Sequence, residues 1–88
     1  MVLILMILLK GKNGKGRKHV EKSFNTNFLP SKDYKIEDSA WKEEREIVNI
    51  TINYKDNNCI VELLPDVNNY DLKEKVEMYL SHSWVELT

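Results

Sequence analysis

Cysteine occurs once in the 88 residues, at Cys59, so no disulfide can form within the chain and nothing points to an oxidising compartment. That cysteine and two widely separated histidines, His19 and His82, cannot supply the ligand spacing of a zinc site. Nor do they set a nucleophile beside a base, so no catalytic residue, metal or cofactor is expected. The opening apolar run, Val2–Leu9, has eight residues, against roughly 20 for a spanning helix. No positive charge precedes it and no small-residue cleavage site follows it, which argues against a secretory signal. A cytoplasmic protein without membrane contact is the expectation.

Glycine is scarce too, and all three glycines fall in one stretch, Gly11-Lys12-Asn13-Gly14-Lys15-Gly16-Arg17-Lys18. Gly11 and Gly16 have the spacing of a phosphate-binding loop after a buried strand. The positions that follow do not fit it. Arg17 stands where the phosphate-reaching Lys belongs, and Lys18 where a hydroxyl would hold magnesium. A solvated, protruding loop between two strands is the simpler reading, since glycine allows positive φ and lysine keeps a loop in water.

What the chain does contain is an ordinary globular balance, 42% apolar and 31% charged. Its formal net charge is −1, but the charges are partitioned. Residues 10–22 carry six cations and one carboxylate, while residues 23–88 carry seven cations and thirteen carboxylates. A basic loop therefore stands on an acidic body. Lys10, Lys12, Lys15, Arg17, Lys18 and Lys22 are the candidate contacts to a polyanion or to an acidic protein surface. Lysines neutralise phosphates non-specifically, and the loop offers no aromatic for base stacking. A nucleic acid is thus the less favoured partner, after another protein or a second copy.

The pattern predicts one α+β domain over residues 1–88, with an antiparallel sheet of about four strands and one C-terminal helix packed on a face. An unbroken apolar run reads as a strand covered on both faces, so a homodimer contact over the second face of the first strand is expected. Residues 19–29 lean to a second strand paired with the first. The segment 46–64 is a hairpin. Val48, Ile50, Ile52 and Tyr54 alternate with Asn49, Thr51 and Asn53, and Lys55-Asp56-Asn57-Asn58 supplies the turn. Asp38 or Ser39 is placed to cap a short helical turn over residues 40–45, with Trp41 covering a core edge. Asp71 and Glu74 have capping-box spacing. Leu72, Val76, Tyr79 and Leu80 then share one helix face opposite Lys73, Glu74 and Glu77. Trp84–Thr88 reads as a final edge strand or a tail folded on the core. The function that fits is a small non-enzymatic protein-interaction or accessory module. The alternative is a weakly specific nucleic-acid-binding accessory protein using Lys10–Lys22.

Overall fold

The computed structural model describes residues 1–41 and 44–87. β1 (Val2–Lys10) is rich in branched and long apolar side chains and lies inside the sheet, where such residues suit a strand with neighbours on both sides. A single 3-10 turn at Lys12–Gly14 reverses the chain into β2 (Arg17–Asn25), which pairs antiparallel with β1 along its whole length. The strand expected over 19–29 thus starts two residues earlier and stops at Asn25, where β1 runs out of partners at Val2, and Phe28 lies outside it. After a two-residue strand β3 (Lys35–Ile36), the hairpin of β4 (Arg45–Asn53) and β5 (Asn58–Leu63) follows. Its turn covers residues 54–57, with Asn57 at φ 54°, a left-handed conformation that Asn tolerates. Helix α1 (Leu72–Ser81) and β6 (Val85–Leu87) complete the chain.

The sheet departs from the expected antiparallel four strands. Among the described residues it is a mixed, six-stranded sheet in the order β3-β4-β5-β1-β2-β6. β5 lies beside β1 in parallel register, Leu3 opposite Cys59 and Leu5 opposite Val61. The chain after β5 extends that pairing: Asp66 N–H donates to the Leu8 carbonyl and Lys10 N–H to the Asp66 carbonyl. β6 takes the opposite edge, antiparallel to β2, as the strand reading of the C-terminus expects.

One face of this sheet carries the core. Leu5, Ile7 and Leu9 of β1, Val20 of β2, and Cys59, Val61 and Leu63 of β5 are buried there against Val76 and Tyr79 of α1 and against Trp84. Ile36, Ala40 and Trp41 cover the same layer. The Trp41 ring lies 5.7 Å from that of Trp84 and 6.5 Å from that of Tyr79, so Trp41 is a core-edge residue as read from the sequence. Asp38 accepts from the Ala40 N–H, and Ser39–Ala40 is a turn. β4 begins at Arg45, so a helical turn does not extend to that residue. The rest of that expectation, at residues 42 and 43, lies outside the described residues.

Three local expectations are corrected. In β4 the ladder slips between Ile47 and Asn49, and this bulge puts Ile47 in the core and leaves Val48 exposed. Asp71 does occupy the N-cap of α1, but its side chain makes no capping bond. Leu80 is exposed and Lys75 is buried, because the helix turns a stripe of Lys75, Val76 and Tyr79 inward. Lys75 is tolerated there because its ammonium is fully engaged. It donates to the carbonyls of Lys10 and Asp66 and lies 3.3 Å from the Asp66 carboxylate. Tyr79 Oη donates to the other oxygen of that carboxylate at 2.8 Å. Burial, with Asp66 alongside, pushes the Tyr79 phenol well above its ordinary value.

Candidate functional site

The basic segment is solvent-exposed from Lys12 to Lys18, as its composition suggests, and it is hydrogen-bonded into an ordered turn. Gly11 N–H donates to the Gly16 carbonyl, Gly14 N–H to Gly11, and Lys15 N–H to Lys12, which closes the turn on itself. Asn13 N–H donates to the Asn69 side chain at 2.9 Å, tying the turn to the segment before α1. Gly11 is obligatory: a Cβ there would lie 2.0 Å from the Lys15 carbonyl oxygen. A phosphate cradle needs several backbone N–H groups aimed at one empty centre. Here the N–H groups of Gly11, Asn13, Gly14 and Lys15 are all bonded to protein oxygens, and a strand, not a helix, follows Gly16.

The six sequence-predicted cations separate into two groups. Lys12, Lys15 and Arg17 are exposed, with no carboxylate partner among the described residues, and Lys10 pairs across the ladder with Arg17. Lys18 forms a surface ion pair with Glu86 at 3.0 Å. Lys22 turns into the protein. Its ammonium lies 2.8 Å from Asp38 Oδ2, donates to the His82 carbonyl, and sits over the rings of Phe24 and Trp84. Burial would raise the Asp38 carboxyl, but hydrogen bonds from Lys22, the Ala40 N–H and the Trp84 indole outweigh it and hold Asp38 below its ordinary value.

The titratable and nucleophilic side chains are dispersed. Cys59 is fully buried on the core face, where burial pushes its thiol up. His19 lies on the opposite face of β2, opposite Leu8. His82 ends α1 and hydrogen-bonds Ser39. The three do not share a pocket.

The second sheet face has no covering element among the described residues. Val2, Ile4, Met6 and Leu8 form a half-buried stripe along β1, continued by Ile60 on β5. His19, Glu21 and Ser23 border it on β2, and Glu62 on β5. A shallow depression of about 250 Å3 opens between Met6, Leu8, His19, Val48 and Glu62.

The edges of the sheet differ in chemistry. β6 covers β2 only at residues 19–21, and cations flank that stretch at Lys18 and Lys22. β3 covers β4 only at Arg45 and Glu46. Beyond it, Ile47–Asn53 presents an outer backbone edge with no strand or other backbone partner among the described residues. That stretch has no charge, proline or glycine. Charged residues, proline and bulges are the devices that keep an edge from pairing; here only the bulge at Val48 is present. No reading of the sequence finds this edge, because its exposure depends on the strand order. The one local signal is the uncharged alternation itself.

Comparison with family models, with curated proteins and with solved structures finds no match in any of the three.

Proposed function

We propose that this protein is a non-enzymatic interaction module that binds an extended, uncharged segment as an added strand on the outer edge of β4. The observation that carries this reading is the open, uncharged backbone edge at Ile47–Asn53. Each outward N–H and C=O there can bond to a strand laid alongside, and alternate side chains of that strand would fall on the core face and on the open face. The dispersal of His19, Cys59 and His82 favours binding over chemistry. The test is an amide NMR titration of the full chain with a capped peptide of alternating threonine and valine. Shifts confined to residues 47–53 and their β5 partners support strand addition; shifts elsewhere, or none in a chain that sediments as a monomer at the concentration used, reject it.

A second reading rests on a separate observation. Lys12, Lys15 and Arg17 are exposed cations on an ordered turn, with Lys10 beside Arg17. This is a compact positive patch suited to a phosphate backbone, with affinity set by counterion release rather than by sequence.

A further inference from the structure

We infer that the strand added to the β4 edge is β4 of a second copy, antiparallel to the first and related to it by a two-fold axis at Thr51. This inference rests on the strand-addition reading and names its partner.

The sequence of the edge is the first argument. Residues 49–53 read Asn-Ile-Thr-Ile-Asn, a palindrome about Thr51. In a two-fold antiparallel pair centred there, each side chain meets its own kind. Thr51 faces Thr51 of the second copy, Ile50 faces Ile52, and Asn49 faces Asn53. Hydroxyl meets hydroxyl and amide meets amide on the open face, while isoleucine meets isoleucine on the core face. Such cross-strand pairs are the unit that stabilises a sheet, and like charges placed opposite are what oppose it. This stretch has none.

The available length is the second argument. β3 occupies the edge at Glu46, and the bulge disturbs the ladder at Val48. The regular open stretch is therefore Asn49–Asn53, and its midpoint is Thr51. With the axis there, the turn at residues 54–57 of the second copy begins beside Val48 and stays short of β3. Moving the axis one residue back, to Ile50, would drive that turn into β3.

Exposure agrees. Ile52 is 39% exposed although it lies on the core face, opposite Cys59, and a strand alongside would cover it. Face-to-face packing of two copies is less suited. Glu21 and Glu62 flank Met6 at the middle of the apolar stripe. A two-fold in the plane of that contact, centred on Met6, sets carboxylates against carboxylates when it runs along the strands (Glu21 on Glu62) or across them (Glu21 on Glu21, Glu62 on Glu62).

The experiment combines sedimentation equilibrium of the full chain with register-specific cross-linking. A mass approaching twice the 10.4 kDa chain is expected as concentration rises, together with slower hydrogen exchange at alternate amides of 49–53. Thr51→Cys is expected to form an intermolecular disulfide, because residues on the axis sit directly opposite at about 5 Å between Cβ atoms. Asn49→Cys alone is expected not to, because it faces Asn53. Thr51→Lys, at an exposed position, is expected to weaken the dimer at least about tenfold, with circular dichroism unchanged. Ile4→Lys, on the open face, is expected to leave it intact. A dimer lost in Ile4→Lys and kept in Thr51→Lys overturns the inference in favour of the sheet face. A monomer at every concentration without the Thr51→Cys cross-link also overturns it. If the threonine–valine peptide still binds in that case, strand addition stands and the partner is another protein; if it does not, both readings fall.

Discussion

Lys22 Nζ lies 2.8 Å from Asp38 Oδ2, and this pair joins three segments that are distant in sequence. Lys22 belongs to β2 and Asp38 to the segment before β4. The same ammonium reaches the carbonyl of His82 at the end of α1, and the other Asp38 oxygen accepts from the indole of Trp84 at the entry to β6. A residue whose sequence context suggests a solvated cation is thus a fastener beneath the aromatic cluster.

Replacing Asp38 with Asn should destabilise the fold by about 2 kcal/mol at neutral pH, because it leaves Lys22 without its counter-charge. The folded-state value of Asp38 lies below its ordinary 3.8. Its contribution is therefore present in full above that value and is lost as pH falls through the lower, folded one. Urea unfolding of both proteins at pH 7 and pH 3 should show a gap that narrows in acid. A gap that widens would contradict this assignment.

Lys75→Met should cost more than Tyr79→Phe. Removing the ammonium leaves the Asp66 carboxylate, 6% exposed, without a counter-charge, a loss on the order of 3 kcal/mol. Removing the phenol hydroxyl takes one hydrogen bond from the same carboxylate, worth about 1–2 kcal/mol. Thermal or urea melts of the two variants side by side decide the order.

Gly11→Ala and Gly14→Ala separate two uses of glycine. At Gly11 an added methyl would meet the Lys15 carbonyl, so the turn must open. At Gly14 there is open space around the site, and only the positive φ of 73° is strained, at about 1 kcal/mol. Gly11→Ala should lower the melting temperature further. It should also speed exchange of the Asn13 amide, which depends on the closed turn.

If the basic turn meets nucleic acid, the log–log salt slope of binding should fall by about 3 when Lys12, Lys15 and Arg17 are changed to Ala together, as loss of three phosphate contacts requires. Fluorescence anisotropy across a salt series reads this directly. Lys22→Ala should leave the slope of the folded fraction unchanged, because that ammonium already faces Asp38. No binding of the parent chain at low salt would dismiss the polyanion reading.

Elements made by near neighbours were legible in the sequence. The β1–β2 pair, the β4–β5 hairpin and α1 follow from apolar spacing and turn residues within a few positions of each other. What was not legible depends on partners distant in the chain. Nothing near Cys59 says that its strand lies parallel to β1. Nothing near Lys75 says that the Lys10 and Asp66 carbonyls wait beneath it, so a rule that sends lysine to solvent fails there. The short β3 has too few residues to show a pattern. For the candidate site, the basic cluster was visible as composition, but its division into exposed Lys12, Lys15 and Arg17 and inward Lys22 is tertiary. The β4 edge became a site only once the strand order placed no neighbour beside it.

The parallel pairing of β1 with β5 also sets the order of events during synthesis. Val2 finds its β2 partner at Asn25, but its β5 partner only at Asn58. On the ribosome, the first hairpin can close early, whereas one backbone edge of its most apolar strand stays unmatched until more than thirty further residues have emerged. The nascent chain must pass through that interval with its stickiest edge uncovered. A translational pause or a chaperone acting in that window would shield that edge from pairing with another chain.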